Sequence, residues 1–360
     1  METGFLELID EKKWQVIQNY FSEVIRTGVR VIDADGAPLS ALSNPHKYCF
    51  ENISSSPKAY FKCKDCLVFS PKPMSGDNLL NNPQFFIDLE SQIYYDSCDF
   101  HANRVVIPVE SAKAFVRAYI VIGPVLLGKR KTYPEYFNMC KLLGLDISSV
   151  IESVEQIRVF SFSSIRSIVK LFKEIADFMI ETGVEKMERN AQKKNSLELM
   201  KTEVPFYIDK MLQALLETAG EGVKAERGSI MVVDDEAKTL SIKLSKGIPE
   251  DVAAKTEVKL GEGLAGWAAR EDKILFIDKS FKNPRLLSRL HKPGLSASLM
   301  VPIKTGESVF GVLNLSTENP RHKFNKENIN SIIQLTKMVD SALCGIKDKA
   351  AKSETHEKPC

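Results

Sequence analysis

Three glycines, Gly261, Gly263 and Gly266, punctuate the stretch Leu260-Gly261-Glu262-Gly263-Leu264-Ala265-Gly266-Trp267-Ala268-Ala269-Arg270, a turn that runs straight into a helical pattern. Glycine accepts the positive φ of a tight turn and lets the backbone approach a neighbouring strand closely. On its own the spacing suggests a phosphate loop. The dinucleotide-binding version, however, needs a preceding strand, a βαβ context and an acidic residue about twenty positions on. Asp278 stands near that offset, yet the surrounding apolar runs read as antiparallel rather than parallel strands. Those runs are Ser229–Val233, Thr239–Leu244, Ile274–Ile277, Leu299–Ile303 and Phe310–Leu315.

An amphipathic helix with Phe206, Ile208, Met211, Leu212 and Leu215 precedes these runs. A last helix over Asn325–Cys344 carries Ile329, Ile332, Ile333, Leu335, Met338, Val339 and Leu343 at helical spacing. Helix, mostly antiparallel strands, then helix is an α+β plan. The motifs come in a fixed order: Arg227-Gly228-Ser229-Ile230-Met231-Val232-Val233-Asp234, Gly261-Glu262-Gly263-Leu264-Ala265-Gly266, Ile277-Asp278, Ser296-Ala297-Ser298-Leu299-Met300-Val301-Pro302-Ile303, and Gly311-Val312-Leu313-Asn314-Leu315. In that order they resemble the GAF family over Lys201–Lys347. The resemblance implies a twisted antiparallel sheet with helices on one face and a ligand pocket on the other, under mobile connections. It names no ligand. The Asn-Lys…Phe…Asp-Glu signature of cyclic-nucleotide binders is not matched, and bilin attachment or sulfoxide reduction would need pocket cysteines. Cys344, in the terminal helix, is the cysteine within the core elements of this half. The alternative is a GAF fold used only for dimerisation.

The first half opens with Trp14, Ile17, Phe21 and Val24 on one helical face, then Gly28–Gly36, which reads as a strand entering a hairpin at an Asp-Gly turn. Asn44–Phe100 is irregular and rich in Ser, Pro and Asn. Val105–Val109 and Phe115–Leu127, with Glu110–Lys113 as the turn between them, read as paired central strands of an antiparallel sheet. The irregular stretch holds Cys49, Cys63, Cys66 and Cys98, four of the seven cysteines. Cys63-Lys64-Asp65-Cys66 brings two thiolates close enough to share one ion, and Cys49 and Cys98 complete a four-sulfur set for zinc or an iron–sulfur cluster. His46 and His101 stand near the outer cysteines and could replace one. The alternative is a group of half-buried reduced thiols. A thioredoxin-like pair would need a strand before and a helix after the motif. Cys140, in an apolar helical stretch, reads as core filling.

This half resembles the PocR sensory domain, a PAS-like module of bacterial regulators thought to sense small organic molecules. The resemblance rests on the helix with Phe21, Val31-Ile32-Asp33-Ala34-Asp35-Gly36, Cys49 after an aromatic residue and the Cys63/Cys66 pair. It continues with Cys98 ahead of Val106-Ile107-Pro108-Val109, and with Ile120-Val121-Ile122-Gly123-Pro124-Val125-Leu126. Two departures fall beside the site: Cys98-Asp99-Phe100-His101-Ala102 where the family has Cys-His-x-Gly-Leu, and Gly123-Pro124 where it has Gly-Gln. Asp99 is either solvated or orients a neighbouring ligand.

Between the halves, Ile165, Ile168, Phe172, Ile175 and Met179 alternate by three and four, the seam either of a short coiled coil or of a helix packed on its own domain. Glu185–Asn195 is charged and reads as solvated. The expected layout is a PocR-like sensory domain over 1–160, a helical connector over 161–200, a GAF domain over 201–347 and a disordered tail over 348–360. The fold class is α+β: two PAS/GAF-like domains, each an antiparallel sheet with flanking helices, joined by a long helical connector.

With 49 basic and 47 acidic residues the net charge is +2, so no electrostatic footprint for nucleic acid or anionic membrane is expected. No apolar run is long enough for a membrane span and no secretory signal is evident, which places the chain in the cytoplasm with reduced thiols. Nucleophile elbow, HExxH, P-loop lysine and kinase core are all missing, as is a helix-turn-helix. The basic stretch with Arg285, Arg289, His291 and Lys292 reads as a solvated loop. The expectation is therefore a non-catalytic sensor, forming a homodimer, that binds a small molecule and signals through helices to a separate kinase, cyclase or regulator. The rivals are an adaptor that uses the two folds without ligand, and a metal-dependent enzyme in the cysteine region.

Overall fold

Two long strands, β4 (Asn103–Ser111) and β5 (Val116–Leu127), stand in the middle of the first sheet of the computed structural model. The structure describes residues 5–34, 36–59, 86–88, 92–111, 116–191, 203–283, 286, 295–322 and 324–344. It divides into two compact units, Met1–Val204 and Pro205–Cys360.

In the first unit β4 and β5 pair antiparallel, as their apolar runs imply, with Ile107 opposite Ile120. With β1 (Gly28–Asp33), β2 (Phe86–Asp88) and β3 (Ile93–Ser97) the order is β1-β5-β4-β3-β2, and the two-residue β6 (Val159–Phe160) adds in parallel to β5. The hairpin expected after β1 is only partly built. Strand β1 pairs with β5 instead, and the returning chain touches it through two isolated bridges, Val29 with Ser43 and Ile32 with Pro38. The physical reason lies in Gln18, which is fully buried. Its amide donates to the Val29 carbonyl at 2.9 Å, the Ala41 carbonyl at 2.8 Å and the Ser43 hydroxyl at 2.8 Å, adding side-chain ties to the few main-chain bonds, such as Leu39 N–H to the Val31 carbonyl at 2.8 Å, that hold the returning segment.

The helices start where their caps dictate. In α2 (Glu11–Ile25) the Asp10 carboxylate accepts from the Lys13 N–H at 2.9 Å. Helix α3 (Tyr133–Leu143) opens with a Thr132/Glu135 capping box and ends at Gly144, φ 69°. Asp146 caps α4 (Ile147–Gln156). Helix α5 spans Phe162–Ala191 and so runs on through the stretch from Glu185 that reads as solvated. The Phe172 ring of α5 stacks on Phe21 of α2 at 3.8 Å between centroids and on Trp14 at 5.4 Å. The five seam residues, Ile165 to Met179, are all buried in the core of this unit. Of the two readings of the seam, the helix packed on its own domain is the one observed. Short helix α1 (Phe5–Leu8) crosses α5 at Gly183, where a Cβ would lie 2.1 Å from the Leu8 carbonyl oxygen.

The second unit is one antiparallel sheet ordered β10-β11-β12-β7-β8-β9. Its strands are β7 (Arg227–Asp234), β8 (Thr239–Lys246), β9 (Glu257–Lys259), β10 (Leu275–Asp278), β11 (Ala297–Thr305) and β12 (Ser308–Thr317). Helix α6 (Glu203–Val223) lies against one face: a Cβ on Gly228 would sit 2.9 Å from Leu216 Cδ1. The small α7 (Glu250–Lys255) and β9 were not foreseen. Helix α8 (Gly263–Glu271) covers the other face, where Ala268 and Ala269 join Met231, Met300 and Val312. The last helix, α9 (Lys326–Leu343), is capped by Asn325. No described helix is long and apolar enough to cross a membrane.

Candidate functional site

Strand alternation sorts the first sheet into two faces. Val29, Tyr95, Val105 and Ile122 share the face carrying α2 and α5, where Tyr95 meets the Phe162 ring at 5.1 Å. At that edge the Asp88 carboxylate receives the Arg166 guanidinium through two bonds of 2.6 and 3.1 Å, a fork that ties β2 to α5. The opposite face bears Arg30, Tyr94, Asp96, Arg104, Val106 and Val121. Arg104 donates to Asp96 Oδ2 across the β3–β4 pair. The other oxygen, Asp96 Oδ1, is buried and accepts no hydrogen bond from the described residues. Burial lowers the pKa of the Arg30 guanidinium on the same face. Nothing in the residue pattern signals this ion pair, because Asp96 and Arg104 are eight residues apart and meet only through the β3–β4 register.

The cysteines gather at another corner. Cys49 lies in a short π-helical turn, Tyr48–Ile53, and Cys98 in the turn after β3, where the Cys98 N–H donates to the Ala102 carbonyl at 2.8 Å. The Tyr48 hydroxyl donates to the Phe100 carbonyl and binds the two segments together. Both thiols are half-buried against one apolar cluster with Tyr48, Phe100, Tyr136 and Cys140. The Tyr48 phenol is held well above its ordinary range, by burial first and then by Cys98, Tyr136, Cys49 and Cys140 around it. Cys49 and Cys98, the outer members of the expected four-sulfur set, are therefore brought together. Cys63 and Cys66 lie outside the described residues. Among the described residues no group of three or more His, Cys, Asp or Glu side chains could hold a metal ion. His46 Nδ1 accepts from the Tyr48 N–H at 3.2 Å, and burial lowers its pKa. His101, at φ 61°, sets its ring edge-on to Tyr136 at 5.8 Å. Asp99 is exposed. Cys140 is core filling, yet it is also a third thiol beside Tyr48, which its helical context did not reveal; burial raises its pKa.

In the second unit the glycines act as their spacing implies. Gly261 has φ 89° and its N–H donates to the Gly266 carbonyl at 2.7 Å; a Cβ on Gly266 would lie 2.3 Å from the Lys259 carbonyl oxygen. The face under α8 is apolar over Met231, Leu240, Leu275, Met300 and Val312, and turns polar at Ser229, Ser298 and Asn314. Asn314 Nδ2 donates to Ser229 Oγ and to the Val312 carbonyl, each at 3.3 Å, and Ser298 Oγ to the Leu315 carbonyl at 3.3 Å. Asp278, the candidate ribose acid, instead accepts from the Ser280 N–H and hydroxyl at 2.9 and 2.6 Å, and those bonds lower its pKa. Arg285, Arg289, His291 and Lys292 lie outside the described residues, as does the expected tail.

Residues 7–184 match the family of the sensory domain found in PocR, and residues 208–343 the GAF domain family. Among solved structures the chain is similar to a GAF domain of a phosphoenolpyruvate-protein phosphotransferase from Acinetobacter, with 15% identity over 54% of this chain and 100% of that one, TM-score 0.36. Residues 122 to 287 of a methyl-accepting chemotaxis protein give 20% identity over 40% and 93%, TM-score 0.34. The type II free methionine-R-sulfoxide reductase of Thermoplasma acidophilum gives 20% over 38% and 92%, TM-score 0.31. No curated protein matches the chain.

Proposed function

From a chain that carries a PocR sensory domain followed by a GAF domain, we propose a non-catalytic sensor whose first domain binds a small organic molecule on the Asp96/Arg104 face of its sheet. The observation that carries this reading is Asp96. A buried carboxylate oxygen without a donor costs free energy, about 1–3 kcal/mol for an unsatisfied buried group and more when charged, and a ligand N–H or O–H would recover it. Asp96 and Arg104 together are neutral, so an uncharged donor suits the position better than a second cation. Signalling then passes through helices to a separate output protein, such as a kinase, cyclase or regulator, in the cytoplasm.

The thiol corner is the second part of the proposal. Cys49, Cys63, Cys66 and Cys98 are proposed to hold zinc or an iron–sulfur cluster, supported by the meeting of Cys49 and Cys98 around Tyr48. Such an ion would fix the Cys49 turn against the Cys98 turn. Elemental analysis of untagged, anaerobically purified protein beside a Cys63→Ser variant tests it: near-stoichiometric zinc or iron lost in the variant is expected, and no metal in either sample overturns the site.

For the ligand, a thermal-shift screen of small polar organic compounds is run on wild type and Asp96→Asn. Compounds that stabilise the wild type and lose at least tenfold in affinity in the variant are expected. Hits that bind both proteins equally would move the site elsewhere. Because the α5 seam is internal, pairing of two copies falls to other surfaces, and sedimentation equilibrium decides whether they pair.

A further inference from the structure

Asp340 is an acidic residue in the last turn of α9, a turn with no basic residue of its own. That end of a helix carries the negative pole of the macrodipole, which disfavours a carboxylate. The side chain is only partly withdrawn from solvent: Asp340 Oδ1 accepts from the Lys304 backbone N–H at 2.7 Å, at the point where β11 shifts register against β12 between Ile303 and Lys304. One neighbouring cation is already engaged, because Lys304 Nζ pairs with Asp272 Oδ2 at 2.5 Å. Asp272 ends α8 with φ 49°. The charged groups around Asp340 are therefore Lys304 from β11, Asp272 from α8, and Lys337 from its own helix.

We propose that Asp340 is a proton-operated latch between the terminal helix and the sheet of the GAF domain: protonated, it docks α9 firmly on β11, and ionised, it loosens that docking. The neutral carboxyl keeps its carbonyl oxygen as acceptor for the Lys304 N–H, so the hydrogen bond survives protonation while the half-buried charge is removed. Ionisation restores a negative charge at the wrong pole of the helix, close to Asp272. Consistent with this, burial first and Asp272 second push Asp340 up to about 7, against the opposing pull of the Lys304 amide, the Lys304 ammonium and Lys337.

The sign follows from linkage. The folded pKa, about 7, lies above the ordinary value of 3.8, so the stabilisation from this group is complete below 3.8. It declines as pH rises between those two values and levels off above the upper one. In that window the equilibrium for opening the α9–β11 contact rises up to roughly tenfold per pH unit.

The test is hydrogen exchange by mass spectrometry on the full chain from pH 5 to 8.5, corrected for intrinsic rates, reading the segments 297–305 and 326–343. The expected result is protection that falls up to tenfold per unit toward neutrality and then flattens, with the decline abolished in Asp340→Asn. Asp272→Asn, an exposed change that frees the Lys304 ammonium for Asp340, should move the plateau to lower pH. Identical profiles in wild type and Asp340→Asn would overturn the latch. Should Asp340→Asn fail to fold, the carboxyl 13C shift of Asp340 in the wild type decides: a midpoint below pH 5 overturns the proposal, and one near neutrality that falls in Asp272→Asn supports it.

Discussion

Two helical glycines give opposite expectations because they meet different neighbours. A Cβ on Gly183 would fall 2.1 Å from the Leu8 carbonyl oxygen, a backbone atom that cannot swing aside. Gly183→Ala should therefore displace α1 and destabilise the first unit by about 1–3 kcal/mol, the usual scale of overpacking. Gly222, near the end of α6, has nothing within 4 Å of its would-be Cβ. Gly222→Ala should stabilise by roughly 0.5–1 kcal/mol through helix propensity alone. Paired denaturant melts check both, and the pair of signs is the result that matters. Glu135 gives a pH prediction at the same scale. Its hydrogen bonds to Thr132 hold its carboxyl down to about 2, below the ordinary 4.5. The cap on α3 is then intact above the ordinary value and lost as pH falls toward the lower one. Corrected for intrinsic rates, amide protection at the first turn of α3 should fall across that acid window in the wild type, and a loss of protection already at higher pH would contradict the cap.

Among the elements, α5 shows where a sequence pattern stops being informative. Apolar residues at alternating three- and four-residue steps are equally the seam of a coiled coil and the buried stripe of a helix on its own sheet. Only the partners decide, and here they are Phe21 and Trp14. Phe172→Ala removes the ring that both stack against and should cost about 3–5 kcal/mol, measured as loss of the first unit's unfolding transition at physiological temperature. Strands β4 and β5 were legible because apolar runs, Val105 to Ile107 in one and Ile120 to Ile122 with Val125 to Leu127 in the other, fill their centres, as central strands require. Strand β3 was not. Ile93-Tyr94-Tyr95-Asp96-Ser97 ends in two residues that disfavour strands, and Asp96 is tolerated there because Arg104 faces it across the ladder. The candidate site divides the same way. The cysteines announced themselves by residue type, whereas Asp96, Arg104, Tyr48 and Asp340 matter through neighbours that are distant in sequence.

At the scale of the molecule the chain consists of two compact units, each with its own sheet and core. Calorimetry should then resolve two transitions, with Phe172→Ala lowering one and Asp340→Asn altering the pH dependence of the other. A single transition that both substitutions move together would contradict this division. Trp14 and Trp267, the two tryptophans of the chain, add a practical consequence. Trp14 is fully buried, stacks on Phe172 and donates from Nε1 to Gln18 at 3.1 Å in the first unit; Trp267 is half-buried on α8, over the covered face of the second sheet. Each unit thus contains one native tryptophan. With Trp14→Phe or Trp267→Phe, the emission that remains belongs to one domain alone, so a compound that shifts the spectrum reports where it bound without any label.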